Sequence, residues 1–80
     1  MIGINEEVFA LTEILKTAET ENEKLAIAMN IAELLSEKME KMDKALQSLE
    51  IEFRTVVTYH VKDEKTRNKL LSINYRDEIN

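Results

Sequence analysis

His60 is the chain's only histidine, and Asp63 and Glu64 follow it at i+3 and i+4. On a helix those three side chains share one face. An imidazole beside two carboxylates has the donor set of a divalent-ion site. Two or three ligands from one short stretch do not enclose an ion, so the plainer reading is a solvated or interface histidine. No metal and no cofactor is expected.

Glu33, Glu37 and Glu40 crowd a second stretch. A di-iron helical bundle would need Glu-x-x-His motifs, and the chain has none. General acid–base work needs a carboxylate held in a dry pocket. Thin helices offer no such pocket, so these residues read as a solvated face. Ser36, Ser48 and Ser72 have no glycine elbow and a single possible histidine base, which gives nucleophilic catalysis no support. One glycine cannot build a phosphate-binding loop. The chain is expected not to be an enzyme.

Three patterns concern binding. Met29, Met39 and Met42 could form an adaptable contact face, although at their spacing they read more simply as core. "KDEKTRNK" (62–69) holds Lys62, Lys65, Arg67 and Lys69, with Tyr75 and Arg76 beyond. A basic segment with an aromatic can touch nucleic acid, but Asp63 and Glu64 screen this one. Glu6, Glu7, Glu13, Glu19, Glu21 and Glu23 make the N-terminal third acidic, as in a protein that mimics nucleic-acid charge. None of these motifs is specific enough to name a family.

The elements that must carry these residues are helices. With no proline and one glycine among 80 residues, and many Leu, Ala, Met, Glu and Lys, helix is the default. The length suits a single domain over 1–80, with a core small enough to welcome a partner chain. No cysteine is present, so disulfides and thiolate metal sites are excluded. The most apolar run, "LAIAMNIAELL", is interrupted by Asn30 and Glu33 and is too short for a membrane span. "MIGINEE" lacks the basic and apolar regions of a signal peptide. A cytoplasmic protein with no membrane contact is expected. The net charge is −5, and residues 1–61 hold 6 Lys/Arg against 12 Asp/Glu. Such a body repels phosphate backbones, so nucleic acid is not an expected partner.

The first helix is expected over about 5–18. Asn5 would cap it, Glu6 and Glu7 would meet the positive end of the dipole, and Ile4 and Phe9 would form a hydrophobic staple. "TENE" (20–23) is a capping box and opens the next helix. From there Leu25, Ala28, Ala32, Leu35, Met39, Met42, Leu46, Leu49, Phe53 and Val56 recur at alternating steps of 3 and 4. That is a heptad seam, and it predicts one long coiled-coil-like helix over about 20–59, roughly 60 Å at 1.5 Å per residue. The first helix is too short to cover it.

"IEFRTVVTYHV" (51–61) also alternates by twos and is rich in β-favouring residues. The unbroken seam and the lack of Gly, Pro, Asn or Asp between Gln47 and His60 favour helix. The alternative is an α+β chain with strands near 51–61 and 69–75. A short third helix is expected over about 63–74, with residues 76–80 frayed.

These elements predict an all-α protein that self-associates through Ala32, Leu35, Met39, Met42, Leu46, Leu49, Phe53 and Val56. A homodimer is the base-rate assembly. The functional expectation is a non-enzymatic protein–protein interaction protein: an adaptor, an assembly factor or an inhibitor. The alternative is a nucleic-acid-related module, either an acidic mimic or a binder using the basic 62–76 segment.

Overall fold

The computed structural model describes residues 3–37 and 44–75. Four helices and no strand are present among them: α1 (Ile4–Thr17), α2 (Glu21–Glu37), α3 (Lys44–His60) and α4 (Glu64–Ser72). The chain is all-helical, as its composition implies.

α1 begins earlier than expected because its cap is Gly3 and not Asn5. The Glu6 carboxylate reaches back to accept the Gly3 amide at 2.6 Å. With that amide satisfied, the helix gains an extra residue and Asn5 falls inside the first turn. The staple expected around an Asn5 cap therefore loses its geometry: Ile4 packs on the core while Phe9 is exposed. Val8, Thr12 and Leu15 are buried along one stripe. Thr12 can be buried because its hydroxyl donates to the Val8 carbonyl at 2.8 Å.

The capping box at the start of α2 forms as the sequence predicts. The Glu23 amide donates to Thr20 Oγ1 at 3.1 Å, and the Thr20 amide donates to Glu23 Oε1 at 3.3 Å. Ala18 and Glu19 link the two helices, which pack against each other as a hairpin.

The single long helix over 20–59 is not found. α2 ends at Glu37, α3 begins at Lys44, and the two pack against each other. A continuous helix would need roughly 60 Å, whereas the longest principal dimension is 35 Å. Folding back lets the seam bury its apolar residues on the chain's own helices. Ala28, Ile31, Ala32 and Leu35 of α2 meet Leu46, Phe53 and Val56 of α3 in one core, with Leu49 half-buried beside them. Met39 and Met42 lie outside the described residues.

Residues 51–60 are helical, so the strand alternative near 51–61 fails, and with it the strand near 69–75. Packing overrides the β-favouring composition here. Val56 and Val57 are both buried, at 4% and 0% exposure, because α3 contacts α1, α2 and α4. The threonines adapt as well. Thr55 and Thr58 donate their hydroxyls to the carbonyls of Ile51 and Arg54, at 3.2 and 2.8 Å.

Asp63 caps α4, accepting the Thr66 amide at 3.1 Å. Its carboxyl is held below the usual range by the Thr66 hydroxyl first and the Thr66 amide second. α4 ends at Ser72, two residues sooner than expected, and Tyr75 turns back into the core. Its ring meets Phe53 edge-on at 5.9 Å, and its hydroxyl donates to the Leu70 carbonyl at 2.9 Å. One further clasp closes the fold. The Glu21 carboxylate of α2 accepts the amides of Lys62 and Asp63 at 2.9 and 3.0 Å. It fixes the start of α2 to the α3–α4 link. No helix among the described residues is long and apolar enough to cross a membrane. Residues 76–80, expected to fray, are not among those described.

Candidate interaction surface

α1 and α3 run side by side and leave a groove of about 440 Å³ between them. Asn5, Glu6 and Phe9 line it from α1, and Ala45, Ser48, Leu49 and Glu52 line it from α3. Its floor is apolar, and Phe9 stands 51% exposed in its wall. Ile14, Met29, Ile51 and Tyr59 are exposed to a like or greater degree; Phe9 differs from Ile14, Ile51 and Tyr59 in lining a hollow.

The charged groups of this lining are both acidic, Glu6 and Glu52. Glu6 is held by the Gly3 amide. Glu52 is held by Lys16, which donates to both Glu13 and Glu52 at 2.9 Å. The hydrogen bonds to Glu13 and then to Glu52 raise the Lys16 pKa. Asn5 adds a further acceptor: its Oδ1 is shut off from solvent with no hydrogen-bond partner among the described residues. A buried acceptor left unpaired costs about 1–3 kcal/mol.

A smaller hollow of about 150 Å³ lies between α2 and α4, lined by Met29, Ala32, Thr66, Lys69, Leu70 and Ile73. Met29 is 53% exposed there. Of the three methionines that suggested an adaptable face, it is the only one among the described residues.

The most charged buried cluster is structural. Glu50 is 2% exposed and pairs with Arg54 one turn on. The guanidinium also donates to the carbonyls of Leu71 and Ile73, each at 2.7 Å, and lies 5.0 Å from the centre of the Tyr75 ring. It thus caps the C-terminal end of α4 and fastens it to α3. Burial pushes the Tyr75 hydroxyl up to about 12, against the opposing pull of Arg54. Arg54 is thus engaged by Glu50 and by two backbone carbonyls, and the Tyr75 hydroxyl by a third.

The residues that suggested metal chemistry are pulled apart in role. His60 ends α3, while Asp63 is engaged as the cap of α4. Among the described residues no group of three His, Cys, Asp or Glu side chains is placed to hold a metal ion. Glu33 and Glu37 are exposed on α2, and Glu40 lies outside the described residues. In the basic segment, Lys62, Lys65 and Lys69 are exposed, while Arg67 donates to the Val61 carbonyl at 3.3 Å. Of the acidic N-terminal residues, Glu21 is engaged in the clasp.

Of the residues expected to carry self-association, Ala32, Leu35, Leu46, Phe53 and Val56 are brought together within one chain. The groove was not apparent in the sequence. Its one signal is Phe9, which sits off the apolar stripe of α1 and reads only as half of a staple with Ile4. The Arg54 cluster had a signal too, a Glu50–Arg54 pair at i,i+4 in an otherwise apolar helix. Comparison with known families, with curated proteins and with solved structures finds no match.

Proposed function

We propose that this is a small cytoplasmic, non-enzymatic interaction protein, an adaptor, assembly factor or inhibitor that self-associates and docks a protein partner in the α1–α3 groove. The observation that carries the reading is Phe9, half-exposed in an apolar groove whose charged residues are both acidic. The occupant that fits is an amphipathic helix from a basic partner. Its apolar stripe covers Phe9 and Leu49, and its flanking Lys or Arg side chains meet Glu6 and Glu52. Helix-in-groove recognition works in this way, with apolar anchors for affinity and rim charges for register and on-rate.

The test is a titration with a labelled helical peptide carrying leucines at i, i+3, i+4 and i+7 and lysines on both flanks, read by fluorescence anisotropy. Phe9→Glu should weaken binding at least tenfold. Ile51→Glu, exposed on α3 and absent from the groove lining, should leave binding within twofold. Equal loss for both variants, or binding of nucleic acid in place of the peptide, would overturn the reading.

A further inference from the structure

We infer that a second copy of this chain covers the outer face of α3, the two α3 helices packing antiparallel about a two-fold axis at Ile51. The inference rests on the self-association proposed above and deepens it; peptide docking in the groove is a separate matter.

Among the described residues, α3 is the one helix whose outer face is almost free of charge. Lys44, Ser48, Ile51, Thr55, Thr58 and Tyr59 are exposed, and at 3.6 residues per turn they fall within an arc of roughly 100°. The other charges of the helix are turned aside: Glu52 is held by Lys16, and Glu50 pairs with Arg54. By contrast, α1 exposes Glu7 and Glu13, α2 exposes Glu23, Glu33 and Glu37, and α4 exposes Glu64, Lys65 and Lys69. Ile51 is 54% exposed at the middle of the strip and Tyr59 is 77% exposed at its end. Apolar side chains grouped on one exposed face mark a contact surface. This one can be dried at low cost. The Thr55 and Thr58 hydroxyls already donate to the carbonyls of Ile51 and Arg54, so covering them strands no donor.

Charge selects the occupant. The chain carries −5, so two copies repel over most approaches. Through this strip they meet without setting one unpaired carboxylate against another. The strip also matches itself. Antiparallel pairing centred on Ile51 sets Ser48 against Thr55 of the second copy. It carries Lys44 to Tyr59 of the second copy and to the C-terminal end of that copy's α3. A cation is favoured both over an aromatic ring and at a helix C-terminus. The single exposed charge of the strip thus meets a group that attracts it, and the two-fold axis repeats the contact. Parallel pairing would set Lys44 against Lys44. From Lys44 to Tyr59 the strip is roughly 22 Å long at 1.5 Å per residue. One helix pair of that length buries less than the ~1,200 Å² of a stable interface, so the pair is weak and forms as concentration rises.

Sedimentation equilibrium from ~10 µM to ~1 mM reads the mass over the range of a weak pair, and circular dichroism confirms that each variant is folded. The mass should rise towards two chains. Ile51→Glu and Ile51→Lys should each weaken pairing at least ~10-fold, because each sets like charges together at the axis. An equimolar mixture of the two variants should pair again, since Glu then faces Lys. Phe9→Glu should pair as the unaltered chain does. Ser48 also lines the groove, so peptide docking is compared among variants below the pairing concentration. A one-chain mass up to ~1 mM would overturn both this pairing and self-association. A two-chain mass that Ile51→Glu leaves intact would overturn pairing through α3 alone, and its loss in Phe9→Glu would place the contact in the groove. A mixture that stays at one chain would overturn the axis at Ile51.

Discussion

Replacing Arg54 by Met should cost more than any other single change at a partly exposed residue. Arg54 touches three things at once: the Glu50 carboxylate, which is 2% exposed, and the carbonyls of Leu71 and Ile73 at 2.7 Å. Methionine keeps an unbranched apolar stem and removes the charge, the donors and the guanidinium that lies over the Tyr75 ring. Breaking a buried pair by removing one partner typically costs about 3–5 kcal/mol. Arg54 keeps some contact with water, its side chain being 30% exposed, which points to the lower half of that range. Losing the donors to two carbonyls adds to the cost, so the expectation is about 3–4 kcal/mol. A domain of this length has a total stability of roughly 4–12 kcal/mol, so the loss should be plain. Urea unfolding followed by far-ultraviolet circular dichroism should show the midpoint falling by at least ~1 M. The double change Glu50→Met with Arg54→Met should recover part of the loss, since the stranded carboxylate is gone while the carbonyls stay uncapped. A single-variant loss below about 1 kcal/mol, the range of a surface pair, would refute the assignment of Arg54 as the fastener of α4.

Val56→Asn and Val57→Asn should destabilise comparably, each by about 2–4 kcal/mol, because both side chains are buried and each change traps an amide; a difference above about 2 kcal/mol in the same urea assay would contradict two-sided burial of α3. Thr20→Ala should cost about 1 kcal/mol by removing the acceptor of the Glu23 amide, and no measurable loss would mean that the box adds nothing to α2. Tyr75 gives an alkaline test. Its folded pKa is raised to about 12 from 10 by burial, so its contribution is complete below pH 10 and is lost as pH climbs through 12. In a Tyr59→Phe background the phenolate absorbance should rise only near the upper value, and a midpoint near 10 would show Tyr75 to be solvated.

Much of the fold was legible because local signals and packing agreed. The Thr20–Glu23 box and the Asp63 cap mark helix starts by side-chain chemistry alone, and both form. The helical state of 51–60 followed from register. What register cannot show is whether a seam is covered by another chain or by its own continuation, because both bury the same positions. That is why Leu35 and Phe53, read as a contact between chains, meet within one. The Arg54 cluster and the groove were hidden for a related reason. Glu50, Arg54 and Tyr75 belong to segments that meet only once α4 has folded onto α3, and Phe9 joins Ser48 and Leu49 only through the α1–α3 contact. Gly3 displaced Asn5 as the cap because the Glu6 carboxylate satisfied an amide that sequence reading had assigned to no one.

The groove is the centre of the functional account, and a residue-resolved binding map tests it most directly. Isotope-labelled protein titrated with the lysine-flanked amphipathic peptide, followed by amide chemical shifts, separates a docked helix from diffuse attraction to an acidic surface. The account predicts the largest shifts at Asn5, Glu6, Phe9, Ser48, Leu49 and Glu52, persisting at raised salt because the anchor is apolar. Shifts spread over Glu19, Glu23, Glu33 and Glu37 that vanish with salt would contradict it, because the peptide would then be reading charge alone.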